Sequence, residues 1–221
     1  MNMLVMGLHV EGPTDNRFLP VIIQRTAEQI LFQHDRAEVI VLEPIVMKKH
    51  PDITHRDESI LRAAHDASGF HVLIVHADAD GPTRDEAFRN RFEPGNMLIQ
   101  ACTESVCKDI LPIIPVRMIE AWMLADLDQF HKALGIKMSH QGSGLHSKAK
   151  QVESYHDPKT VIARVIQQTY PDKPQYWGRI RGQLYADLAP MIRLSQLKDV
   201  PAYQQFVSDL TATLKAINII F

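Results

Sequence analysis

"HVLIVHADADGP", residues 71–82, decides the reading of the fold. Val72 to Val75 are apolar without alternation, so neither face of such a strand suits water. Strands of this kind lie inside parallel sheets covered by helices on both faces. The run then ends in Asp78 and Asp80, followed by Gly81 and Pro82. A turn accounts for Gly81 and Pro82. Two carboxylates at the point where a buried strand surfaces also suit a metal.

The flanking sequence repeats the alternation of strand and helix. "LVMGLHVEG" (4–12) reads as a first buried strand stopped by Gly12-Pro13. Thr14 to His34 follows as a helix, with Phe18, Leu19, Ile22, Ile23, Ile30 and Leu31 at helical spacing. A second strand is read over 37–46, a helix over 57–67, and a helix-prone insertion over 83–109. "LPIIPVRM" (111–118) is the fourth strand and leads into the amphipathic helix "IEAWMLADLDQF". The fold class is α/β: a Rossmann-like, mostly parallel sheet flanked by helices, which binds ligands beyond the carboxyl ends of its strands. Residues 1–135 form this domain. Residues 136–221 are a helical extension packed on it, beginning with an exposed Gly/Ser-rich loop, "GIKMSHQGSGLHSKAKQ".

Composition narrows the function classes. With 45% hydrophobic residues among 221, a sizeable core is available. Lys and Arg total 24 against 26 Asp and Glu, so nucleic-acid contact must rest on local patches. Cys102 and Cys107 match neither a CxxC pair nor a zinc framework, and read as buried thiols of a reducing compartment. No apolar run approaches the roughly 18 residues of a membrane span. "MNMLVMGLHVEGPTD" lacks the features of a secretory signal, so a cytoplasmic protein without membrane contact is expected.

On this outline, three strands deliver acids to one edge of the sheet. Glu11 closes the first strand, with Asp15 four residues on. Asp78 and Asp80 close the third, and share one side if strand geometry persists that far. Glu120 stands where the fourth strand gives way to its helix. Singly, each has an ordinary explanation in a turn or a helix dipole. Together they would repel without compensation, which one or two Mg²⁺ or Mn²⁺ ions would supply.

"HVEGPTDNRFL" with the later "VHADAD" resembles the Toprim domain of topoisomerases, primases and overcoming-lysogenization-defect nucleases. The resemblance implies a compact magnesium-binding α/β fold, with Glu11 as the family's glutamate and Asp78 and Asp80 as its D-x-D pair. Asp15 and Glu120 match two further acids of the nuclease branch, Asp15 standing where Glu is common. The order of "VEGPTD", "DAD" and "EAWMLAD" is also similar to that of small bacterial Toprim-like proteins linked with ATPase partners and phage defence. Absence of zinc-binding cysteines argues against a zinc-ribbon primase, and the chain is too short for strand passage. There is no GxxxxGK[ST] loop, so any ATPase is a separate chain. The implied activity is Mg²⁺- or Mn²⁺-dependent nuclease cleavage, with Glu11, Asp78 and Asp80 as catalytic residues. A non-catalytic subunit binding an ATPase or nucleic acid stays open, as does another metal-dependent phosphohydrolase. DNA versus RNA and assembly into a homo-oligomer also stay open.

Basic clusters lie at "MKKH" (47–50), "RNR" (89–91) and "WGRIRG" (177–182). Lys48, Lys49, Arg179 and Arg181 are the candidate phosphate contacts, with Tyr176 and Trp177 available for stacking. Lys108 is the nearest candidate for a lysine beside the metals, although a solvated helix lysine is its ordinary reading. His9 and His76 read as core histidines with satisfied hydrogen bonds, with a place at the metals or a proton-shuttle role as the alternative, and Trp122 as a packing residue.

Overall fold

The structure, a computed structural model, describes residues 3–136, 145–146 and 148–221. Most of the Gly/Ser-rich loop therefore lies outside the described residues. The chain opens with β1 (Met3–Leu4) and β2 (Met6–His9), then α1 (Leu19–Gln33). Next come β3 (Ile40–Val41), β4 (Ile45–Val46), α2 (Arg56–Asp66) and β5 (Val72–His76). A short α3 (Asp85–Ala87) runs through a π turn (Phe88–Phe92) into α4 (Glu93–Ala101), before β6 (Ile110–Ile113). The remainder is helical: α5 (Glu120–Met123), α6 (Leu127–Ala133), α7 (Pro158–Thr169), α8 (Trp177–Leu188), α9 (Leu194–Leu197) and α10 (Pro201–Ala216).

The four-stranded sheet has the order β4-β2-β5-β6, and every pairing is parallel. β1 and β3 pair separately, in parallel, just upstream. β5 is buried at all five positions, as its unalternating apolar run requires. One face of the sheet is covered by α1 and the C-terminal helices, whose side chains share one cluster with Leu4, Met6, Leu8, Val72 and Ile74. The other face carries Ile60, Ala63 and Ile99 of α2 and α4 against Leu73 and Val75. Gly95 permits that close packing, because a Cβ there would stand 2.8 Å from Ile60.

This arrangement fixes the ligand-binding position. From β2 the chain leaves over the α1 face towards β4. From β5 it leaves over the α2 and α4 face towards β6. Neighbouring strands whose connections depart on opposite faces leave a crevice between their carboxyl ends, where doubly wound sheets bind ligands. Glu11 and Asp78 follow those two strands, and the Asp78 backbone N–H donates to Glu11 Oε2 at 3.3 Å.

Local boundaries differ from the sequence reading for identifiable reasons. Asp15–Arg17 form a separate 3₁₀ turn, and α1 begins only at Leu19, with Pro20 in its first turn. The second strand is divided into β3 and β4 around Pro44, which has no N–H to donate to a ladder. β6 ends at Ile113, and its continuation turns at Arg117, where φ is +60°.

Candidate functional site

The acids follow β2, β5 and β6, and occupy two sides of the sheet edge. Alternation along β5 turns His76 and Asp78 towards the α1 face, in line with Val72 and Ile74. There Asp15 meets them. Its carboxylate accepts from the Gly12 N–H at 2.8 Å, and that bond holds the 3₁₀ turn against the strand end. A side chain at position 12 would crowd it, since a Cβ would lie 3.2 Å from Asp15 Oδ2.

His76 is fully buried between two acids. Its Nδ1 faces Asp15 Oδ2 at 3.4 Å, and its Nε2 faces Asp78 Oδ1 at 3.3 Å. These are ion-pair distances, but neither nitrogen completes an aligned hydrogen bond. The satisfied core histidine expected at this position is therefore not found. Burial alone would push the imidazole pKa down, but the two carboxylates outweigh it and raise it to about 9. For Asp15, burial opposes ionisation, yet His76 and the Gly12 N–H hold the pKa below the usual carboxylate value.

Glu120 completes this side. It is buried at the start of α5 and accepts a hydrogen bond from the Tyr185 hydroxyl of α8. Burial raises its pKa, with the Asp78 charge adding to the effect and Lys159 opposing it. The field of Lys159 reaches Asp15 as well, which puts this α7 residue beside the acidic side.

Glu11 points the other way. Gly7, His9 and Glu11 alternate onto the α2 face, where Arg56 Nη1 binds Glu11 Oε1 at 2.6 Å. Arg56 also donates to the His76 and Arg91 carbonyls, at 2.7 and 2.8 Å. Arg91, from the π turn, bonds Asp80 at 2.5 Å and the Asp78 carbonyl at 2.8 Å, and lies 3.6 Å from Glu11. π turns are frequent at functional positions. Asp80 adopts φ +53°, a conformation tolerated by Asp, so strand geometry does not reach it. Its side chain is 56% exposed and turned to Arg91.

The other candidates separate. Lys49 donates to the Glu11 carbonyl, whereas Lys48 is exposed. Arg181 acts electrostatically on Tyr185, one helical turn away, and so stands on the acidic side. Arg179 instead lines a cleft with Tyr170, Lys173 and Tyr176 on another face of α8. Lys108 is remote from the acids: it donates to the Gln100 and Cys102 carbonyls at 3.2 and 2.7 Å, capping the end of α4 near the start of β6. Trp122 packs edge-on to Tyr203, with ring centroids 5.3 Å apart. Asp126 of "EAWMLAD" caps α6 and takes a bidentate pair from Arg193, so its role is to fasten helices.

Among the described residues, no three His, Cys, Asp or Glu side chains converge on a preformed cation position. The donor chemistry nevertheless fits a hard divalent ion, since Glu11, Asp78 and Asp80 offer only carboxylate oxygens and Asp15 stands behind them. The loosely seated His76 and the guanidinium groups supply the countercharge in this arrangement.

A family model described as a domain of unknown function (DUF4276) matches residues 10–211. The chain belongs to that family, which spans every acid of the site. No curated protein and no solved structure matches the chain. Among the described residues, no helix is long and apolar enough to cross a membrane.

Proposed function

We propose that this chain is a Mg²⁺- or Mn²⁺-dependent nuclease of Toprim type that hydrolyses phosphodiester bonds of DNA or RNA in the cytoplasm, in phage defence or DNA processing. One observation carries the reading: carboxylates and guanidinium groups interleave at the switch point of a parallel sheet, with Glu11, Asp78 and Asp80 tied together through Arg56 and Arg91. Phosphodiester hydrolysis calls for both kinds of group, acids for a metal and cations for phosphate.

In this reading Glu11, Asp78 and Asp80 would hold one or two ions, supported by Asp15 and Glu120. When bound, the metal would supply water activation and stabilisation of the leaving oxygen. Arg56 and Arg91 exchange their carboxylate partners for phosphate oxygens, to which the guanidinium fork is matched. His76 keeps Asp15 ionised and limits repulsion among the acids. Incubation of the protein with DNA and RNA, single- and double-stranded, in Mn²⁺ tests the proposal. Cleavage by the wild type and its loss in Asp78→Asn is expected. The same cleavage by both would remove the assignment.

A second reading is favoured by the Arg56–Glu11 pair and the absence of a converged triad among the described residues. In it the chain is a non-catalytic subunit that binds nucleic acid or a separately encoded ATPase. Copurification with an ATPase, and no cleavage of any polynucleotide in Mn²⁺, would favour it.

A further inference from the structure

Beside the acids, on the α2 face, lies a cleft of about 400 Å³ that includes His9, Glu11, Lys49, His50, His55, Arg56 and Ser59 in its lining. Three independent features of it suit an anion. The first is charge: Lys49 and Arg56 both line it, against the single carboxylate of Glu11, which Arg56 already neutralises. His50 is engaged by Asp66 at 2.8 Å and contributes little further.

The second is the start of α2. This helix runs for 11 residues, and its N-cap residue, His55, makes no side-chain cap. Arg56, its first residue, lines the cleft, and the helix dipole favours a negative ligand at this end. Asp57 and Glu58 lie in that turn but do not line the cleft.

The third is His9. It is only 5% exposed, lines the floor of the cleft, and has no hydrogen-bond partner among the described residues. A ligand in the cleft can take the hydrogen bond that the protein does not give it.

We propose that this cleft is a phosphate-binding site, formed by His9, Lys49, Arg56 and the first turn of α2, and that it seats a phosphate of the nucleic-acid strand next to the carboxylate edge. The strand as ligand rests on the nuclease reading above; the phosphate site itself does not. The phosphate has two possible sources, an internal phosphodiester or a phosphorylated strand end, and both present the same oxygens.

The test uses the full chain in EDTA, titrated with inorganic phosphate and followed by calorimetry and by the histidine ring resonances. Saturable binding that shifts the His9 signals is expected. Lys49→Gln, an exposed substitution, should weaken binding roughly tenfold through loss of one charge-assisted contact. Arg179→Ala, in the separate cleft, should leave it unchanged. Competition by oligonucleotides then identifies the source. Equal competition by hydroxyl-ended and phosphate-ended strands marks an internal phosphodiester, and preference for phosphate-ended strands marks an end. Absence of saturation, or phosphate binding untouched by Lys49→Gln with His9 signals unmoved, would overturn the site. Because no metal or turnover is involved, phosphate binding without any cleavage would count against the nuclease reading alone.

Discussion

Two histidines at neighbouring strand ends show how differently the two sides of one sheet edge are built. His76, on β5, is buried between Asp15 and Asp78, and burial is outweighed so that its pKa rises to about 9. His9, on β2, lies beside Arg56 and Lys49; burial first, and those charges second, lower its pKa to about 4. The same side chain is thus held as a cation on the α1 side and as a neutral group on the α2 side. Pairing a buried imidazole with two acids, and another with two cations, separates charge across a single crevice. The acids of the α1 side, met at the crevice by Glu11 and Asp80, suit a metal, and the cleft on the α2 side suits an anion.

The largest effect that would break this comparison is catalytic. Asp78→Asn keeps an oxygen to accept the Ile119 N–H, which Asp78 Oδ1 binds at 3.1 Å, but removes the charge. Metal-dependent cleavage should fall by at least ~10²-fold, a loss typical of removing transition-state electrostatics. Circular dichroism should be unchanged.

Stability gives the next contrast. His76→Leu removes the countercharge between two acids and should cost about 3–5 kcal/mol in urea unfolding. His9→Leu removes a buried group without a partner and should change stability by no more than about 1 kcal/mol. Equal costs for the two would contradict the assignment of opposite charge states.

The pH dependence carries the same contrast with opposite signs. An unperturbed imidazole titrates near 6.5. Since the folded state raises the His76 pKa, the stability it contributes is complete below about pH 6.5 and is lost as pH climbs to about 9. Since the folded state lowers the His9 pKa, its contribution is complete above about pH 6.5 and declines as pH falls towards about 4. Urea unfolding across this range should show His76→Leu flattening the alkaline limb and His9→Leu the acid limb. A single common titration by both rings in NMR would refute the separation.

The smallest effect concerns the α8 arginines. Arg181, which acts on Tyr185, should reduce cleavage a few-fold when changed to Ala, whereas Arg179→Ala should leave it within about twofold.

The unalternating apolar residues of β5 made the parallel sheet legible, because only a strand covered on both faces can be so apolar. They also placed Glu11, Asp78 and Glu120 at one edge. The cationic half was not legible. Arg56 stands in an ordinary helix start, and Arg91 lies in "RNR", one of three basic clusters, with nothing to single it out until a π turn aims it at Asp80. Asp80 shares a face with Asp78 only if strand geometry persists that far, and the left-handed conformation of Asp80 itself has no signature beyond the Gly81-Pro82 that follows. Tyr185 and Lys159 come from helices distant in sequence, and only the packing of the C-terminal helices onto the α1 face brings them to the acids.

The most direct test of the central claim is Mn²⁺ binding to the full chain, measured by calorimetry for the wild type and Asp78→Asn. The account predicts one or two ions bound by the wild type and a loss of most of that affinity in the variant, with Lys49→Gln binding Mn²⁺ as the wild type does. No Mn²⁺ binding by the wild type, or binding that Asp78→Asn leaves intact, would contradict it.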